Sequence, residues 1–200
     1  MTAMGERLTP QQYLAMERAA EFKNEFFDGE VVPMNPATYE HALLVTNLLG
    51  ELVGRVRPRG CEAFASQMRV WVADVRDYLY PDVVVVCGKP RLQDDHSDTL
   101  LNPVLVVEVL SPWSEKADRG RKWDAYRTVP SLRHYVLVEQ EAYRVEAFTR
   151  RPDGEWTSTV LEGLEAELVL DAIGCTLTLA DVYEDVPVWR AAAKRSARVG

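Results

Sequence analysis

Tyr80-Pro81-Asp82-Val83-Val84-Val85-Val86, then Asn102-Pro103-Val104-Leu105-Val106-Val107-Glu108-Val109-Leu110-Ser111, then His134-Tyr135-Val136-Leu137-Val138-Glu139 are the runs that decide the fold. Each is short, rich in valine and bounded by proline, serine or charge, which is how a strand buried on both faces reads. A polar, basic-rich segment at 114–128 separates the second run from the third, so a helix is expected there. Ser114 is a suitable N-cap for it and Pro130 a stop. Two carboxylates interrupt these apolar runs, Asp82 entering the first and Glu108 inside the second. An ionised carboxylate in an apolar setting is costly unless it is paired or holds a metal. Such a conflict between pattern and chemistry is where function is expected.

Upstream of these runs, Thr9 and Pro10 open a short helix that fades near Ala20. Residues 22–34 read as a hairpin turning at Asp28-Gly29, with Pro33 marking an edge or an ending strand. From 39 to 56, Leu44, Val45, Leu48, Leu49, Leu52, Val53 and Val56 recur at three and four, which predicts an amphipathic helix. Residues 61–72 are expected as a strand or a bent pair of strands, and 73–79 as a polar connection. Downstream, 144–149 and 156–161 form a hairpin across Arg151-Pro152-Asp153-Gly154, and 168–170 and 177–179 are short strand pieces. The tail at 185–200 turns polar and basic, and its end is expected to be loose. The order predicts one α/β domain over 1–200, built on a mixed sheet. Within it, 1–35 supply the helix and hairpin, 39–140 the core, and 141–184 the C-terminal strands.

Composition narrows the function. At 47% hydrophobic residues the chain can fill a core, yet no apolar run is long enough to span a membrane. The start of the chain has no apolar leader, and Cys61, Cys87 and Cys175 are too few and too scattered for a disulfide framework. Both point to the cytoplasm. The net charge of −8 speaks against tight non-specific binding to nucleic acid, although an enzyme need only be basic locally.

Asp82 and Glu108 lie on successive strands, which run about 4.8 Å apart, so both can reach one cation. Two carboxylates, completed by water and substrate phosphate, suit Mg²⁺ or Mn²⁺. In a strand, position 110 shares a face with 108, and here it is leucine. Lys122 on the following helix, one turn after Asp118, can reach back over the sheet to a phosphate or a water. The plainer alternative is an exposed Asp118–Lys122 pair. Ser111 and Ser114 have no His and Asp at triad-like positions, which argues against serine hydrolysis.

Tyr80-Pro81-Asp82, Val107-Glu108-Val109-Leu110-Ser111-Pro112, Asp118-Arg119-Gly120-Arg121-Lys122, Tyr126 and the run from Pro130 to Tyr135 together resemble the Uma-type family of bacterial endonucleases, in the PD-(D/E)XK restriction-endonuclease-like superfamily. Leu8-Thr9-Pro10, Phe27-Asp28-Gly29-Glu30 and Glu40-His41 extend the likeness over about residues 8–150. The resemblance implies a core of helix, three strands, helix and strand. It implies Asp82 and Glu108 as metal ligands, with Lys122 replacing the lysine that the superfamily carries two residues after the glutamate. Glu40 or His41, opening the long helix, and Glu30 and Gln67 are further candidates for the site. The expected activity is Mg²⁺- or Mn²⁺-dependent phosphodiester hydrolysis, most naturally of DNA, with no membrane partner. The alternative is a silent binding or assembly module that keeps the fold. A homodimer is compatible with the apolar surface of the hairpin and tail. Among five tryptophans, Trp113, in the loop after Glu108, is the candidate for contact with nucleic acid.

Overall fold

The computed structural model describes residues 7–188. The expectations for the chain's leader and for its basic end concern residues 1–6 and 189–200, which lie outside that span.

The three deciding runs form β6 (Val83–Cys87), β8 (Leu105–Val109) and β9 (His134–Val138) at the centre of a six-stranded sheet. Its order is β11-β10-β9-β8-β6-β3, with β3 at Cys61–Ala65 and the long hairpin β10 (Arg144–Arg150) and β11 (Trp156–Glu162) on the other side. β8 and β9 are parallel and every other neighbouring pair is antiparallel, so the sheet is mixed as expected. A parallel pair needs a crossover. Here the crossover carries helix α3, which begins as an α turn (Glu115–Ala117), passes through a π-helical stretch (Asp118–Lys122) and ends as an α turn (Trp123–Tyr126).

The valine runs are continuous because both faces of this sheet are covered. One face, with Val83, Val85, Val107 and Val109, packs under Leu44, Leu48, Leu52 and Val56 of helix α2 (Tyr39–Val56). The same layer is closed by a hairpin of β12 (Glu167–Leu170) and β13 (Cys175–Thr178) and by helix α4 (Leu179–Val182). The opposite parity, Val84, Val86, Val106 and Leu137, packs against Tyr126 of α3 and against a second sheet.

That second sheet has five strands, in the order β2-β1-β5-β4-β7. β1 (Asn24–Phe27) and β2 (Glu30–Pro33) are the expected hairpin, turning through Asp28 and Gly29, both at positive φ. The residues expected as a strand or bent pair at 61–72 separate into β3 in the large sheet and β4 (Arg69–Val72) in the small one. The expected loop at 73–79 is corrected: β5 (Asp77–Leu79) lies between β1 and β4, and β7 (Thr99–Leu100) pairs with β4. Asp77 obscures β5 in the sequence, because a buried acid at a strand start reads as a turn. Helix α1 (Pro10–Ala19) begins with a capping box between Thr9 and Gln12 and docks through Tyr13, which stacks on Phe26 and Tyr78.

The thiol expectation is also corrected. Cys61 and Cys87 stand opposite one another where β3 meets β6 and form a disulfide, while Cys175 is free and buried. Their separation of 26 residues hides a pairing that the antiparallel register makes direct.

Burial pushes the Asp77 carboxyl up to about 6, against the hydrogen bond its Oδ1 accepts from the Asp28 N–H. A folded-state pKa above the unfolded value means that ionisation opposes folding. Stability is therefore expected to fall as pH rises through about 4 to 6. Asp77→Asn, which keeps the acceptor, should raise stability at pH 7 by about 1–2 kcal/mol, allowing for partial solvation. Urea denaturation at pH 4 and pH 7 measures both effects.

Candidate active site

Extending the antiparallel register of Val83 with Val107 by one pair puts Asp82 opposite Glu108. Directly opposed residues share a sheet face, with Cβ atoms about 4.5–5.5 Å apart. Pro81 ends the ladder here because it has no N–H to give. The Asp82 side chain takes over, its Oδ2 accepting from the Val109 N–H at 2.8 Å. His41, in the first turn of α2, reaches around the sheet end to the same oxygen, with Nε2 at 3.1 Å. Burial, the largest single effect on His41, lowers its pKa, but the hydrogen bond and charge of Asp82 together with the charge of Asp118 outweigh it and raise it above the usual imidazole value.

Glu108 is buried on the face shared with α3. Lys122 Nζ lies 3.3 Å from its Oε1, 3.1 Å from Asp118 Oδ1 and 2.9 Å from Glu25 Oε1. The π-helical stretch turns Asp118 and Lys122 to the same inner side, a local device that recurs at functional sites. The exposed-pair alternative for these two residues is thereby corrected, since both are buried. Burial and three neighbouring carboxylates act on one proton balance, and the Glu108 carboxyl is held well above the usual carboxylate range. Glu108, Glu25 and Asp118 raise Lys122 despite its burial.

The site thus holds Asp82, Glu108 and Lys122 together, with His41 beside Asp82. Glu40 is buried next to His41 in the first turn of α2. Two further candidates lie elsewhere. Glu30, at the start of edge strand β2, is exposed and pairs with Arg121 at 3.3 Å. Gln67 is exposed in the turn between β3 and β4. That turn still touches the site indirectly, because the Ser66 N–H donates to the Asp82 carbonyl at 3.0 Å.

Glu25 and Asp118 join the cluster without having been singled out as site residues. In Asn24-Glu25-Phe26-Phe27, Glu25 reads as the polar position of an exposed strand. Its carboxylate is met by Lys122, 97 residues on (122 − 25), and by the Tyr80 N–H at 3.2 Å. The only local sign was a single carboxylate among apolar neighbours.

The carboxylate set suits a hard divalent cation. One oxygen of each principal carboxylate is pinned, Asp82 Oδ2 by Val109 and His41, and Glu108 Oε1 by Lys122. No hydrogen bond reaches Asp82 Oδ1 or Glu108 Oε2 among the described residues. Three carboxylates around one ammonium also leave negative charge uncompensated. Among the described residues no group of three or more His, Cys, Asp or Glu stands as a ready-made metal cage. A two-carboxylate site completed by substrate phosphate needs none.

Comparison with known proteins bears on the chain's family and its fold. The family model described as "Uma2: Putative restriction endonuclease" matches residues 10–180. "Uncharacterized protein sll1609" of Synechocystis sp. (strain ATCC 27184 / PCC 6803 / Kazusa) is 38% identical over 161 residues, covering 80% of this chain and 91% of that protein. "Uncharacterized protein slr1290" of the same strain is 30% identical over 179 residues, covering 88% and 92%. The crystal structure of "a putative nuclease belonging to DUF820" from Anabaena variabilis ATCC 29413 superposes with a TM-score of 0.73, over 88% of this chain and 97% of that one. At 15% identity that likeness shows a shared fold. The chain belongs to the Uma2 family.

Proposed function

We propose that this Uma2-family chain is a metal-dependent endonuclease of the PD-(D/E)XK type that hydrolyses phosphodiester bonds, with DNA as its substrate. The observation that carries this reading is the convergence of Asp82, Glu108 and Lys122 at the end of the central sheet. Asp82 and Glu108 would hold Mg²⁺ or Mn²⁺ through the oxygens their protein partners leave open. A divalent ion there supplies charge neutralisation at the phosphate and a lower pKa for the attacking water.

The chain's own residues do the rest. The Val109 N–H and His41 fix the Asp82 carboxylate in one orientation. The raised pKa of His41 favours the protonated ring beside Asp82. Lys122 balances Glu108 and its neighbours, and offers an ammonium to a phosphate oxygen or to the attacking water. Burial of Glu108 and Lys122 strengthens each of these interactions by excluding water.

The test is cleavage of plasmid and oligonucleotide DNA with Mg²⁺, Mn²⁺ or chelator, alongside Asp82→Asn. Metal-dependent nicking by the wild type, and none by the folded variant, is expected. Metal-independent nicking, or equal nicking by both proteins, rejects the assignment.

A further inference from the structure

At the end of the large sheet away from the carboxylates lies a cavity of about 570 Å³, with Thr128, Pro130, Arg133, Arg150, Arg151 and Asp171 in its lining. The strand register sets it apart from the candidate active site. Leu105 pairs with His134 at the start of β9, and Glu108 pairs with Leu137 three residues on. Three residues of strand are about 10 Å. Arg133 comes just before β9 and Arg150 closes β10, where its N–H donates to the Arg133 carbonyl at 2.9 Å. Asp171 comes in from the turn between β12 and β13. A space of this volume suits a small organic ligand.

Two guanidiniums converge in it. Arg133 Nη1 and Arg150 Nη1 donate to the same oxygen, the Pro130 carbonyl, at 3.1 and 3.4 Å. Their other hydrogen bonds go to the carbonyls of Leu132, Val129 and Gly154. Arg150 also lies over the Trp156 ring, 5.5 Å from its centroid. These contacts fix the two groups without neutralising them. Neither arginine has an ion pair among the described residues, and no hydrogen bond there uses Nη2 of either one. Arg151 adds a third guanidinium, paired with Asp153 at 2.7 Å. Asp171 is the carboxylate of the lining, and its Oδ1 lies 2.9 Å from His134 Nε2 and accepts the Ala172 N–H at 2.8 Å. Three guanidiniums against Asp171 and Asp153 leave positive charge here, in a chain whose net charge is −8.

Fixed guanidinium forks match the oxygens of a phosphate, and two of them suit its second negative charge. Asp171 Oδ2 accepts no hydrogen bond among the described residues. A carboxylate repels an anion but takes a hydroxyl or amino group. The cavity therefore calls for a ligand with a phosphate at one end and hydrogen-bond donors at the other. We infer that it binds a phosphomonoester of nucleotide size, with Arg133 and Arg150 holding the phosphate and Asp171 a donor group of the attached nucleoside. The inference does not rest on the nuclease reading, because these residues are separate from Asp82, Glu108 and Lys122.

Isothermal titration calorimetry of the full chain in chelator, with deoxyadenosine monophosphate, deoxyadenosine and inorganic phosphate as probes, tests it. The nucleotide should bind at one site per chain, and deoxyadenosine should not bind. Inorganic phosphate should bind about tenfold more weakly than the nucleotide. Arg133→Gln and Arg150→Gln should each weaken the nucleotide by about tenfold or more, as the loss of charge-assisted hydrogen bonds requires. Arg133 is exposed, so its variant keeps the test decisive even where Arg150→Gln fails to fold, which circular dichroism checks. No binding of the nucleotide overturns the inference. So does deoxyadenosine or inorganic phosphate binding as tightly as the nucleotide, or a folded Arg133→Gln that binds like the wild type. Competition by a tetranucleotide with and without a terminal phosphate identifies the source of the ligand. Displacement by the phosphorylated strand alone supports a strand end in the cavity, and displacement by neither supports a free nucleotide. Equal displacement by both overturns the inference, since the cavity then reads backbone diesters.

Discussion

Lys122→Met is expected to destabilise the protein by about 3–5 kcal/mol at neutral pH, the usual consequence of leaving buried charge without its partner. Methionine replaces the aliphatic stem well enough, so the loss isolates the ammonium. That ammonium lies within 3.3 Å of Glu25, Glu108 and Asp118, and all four groups are buried. Without it the three carboxylates repel one another in a poorly solvated space and must take up protons to remain folded. The loss should therefore be larger at pH 8 than at pH 5: the Glu108 carboxyl, already held well above the usual range, loses the cation that favours its ionised form, and a carboxyl pKa raised in the folded state means stability that declines as pH rises. Millimolar Mn²⁺ should recover part of the stability of the variant, because a cation that binds only the folded state shifts the equilibrium. Urea titrations at the two pH values, with and without Mn²⁺, measure all of this. A loss below about 1 kcal/mol would mean that solvent screens the cluster.

Glu108→Gln should separate activity from stability. Glutamine keeps the shape of the side chain and removes the charge that burial already disfavours. Lys122 retains Glu25 and Asp118 as partners. The folded variant should be as stable as the wild type, or more stable by about 1 kcal/mol, in the absence of metal. Its cleavage rate should fall by at least about a thousandfold, because the site loses half of its principal carboxylate pair. The wild type should also bind metal more tightly as pH rises, since the cation takes a carboxylate that otherwise keeps its proton above the usual range. A variant that is both unstable and inactive would assign Glu108 a structural role.

The sequence made the central sheet readable because valine runs bounded by Pro81, Pro103 and Ser111 have few other solutions. Helix α2 was equally plain from its apolar period of three and four. Asp82 and Glu108 announced themselves by breaking the pattern around them. The features that escaped were decided by tertiary contact. Glu25 follows the alternation of an ordinary exposed strand, yet it is buried where Lys122 and the Tyr80 N–H meet its carboxylate. Asp118 and Lys122 have the spacing of a surface pair, and the π-helical stretch that turns them inward has no simple local signature. Glu30 looked equivalent to these acids in a linear reading, yet an edge strand takes it to solvent and Arg121. β5 was missed because three residues beginning with an aspartate carry too little pattern. The Cys61–Cys87 bond was missed because register, rather than spacing, makes the pair.

The most direct measurement of the central claim is Mn²⁺ binding by calorimetry to the wild type, Asp82→Ala and Glu108→Ala, with folding verified by circular dichroism and a repeat in the presence of a non-cleavable oligonucleotide. The account predicts that the wild type binds, with or without the oligonucleotide, and that both folded variants lose the binding. A wild type that stays silent in both conditions, or variants that bind Mn²⁺ as it does, would contradict a metal site at the end of this sheet.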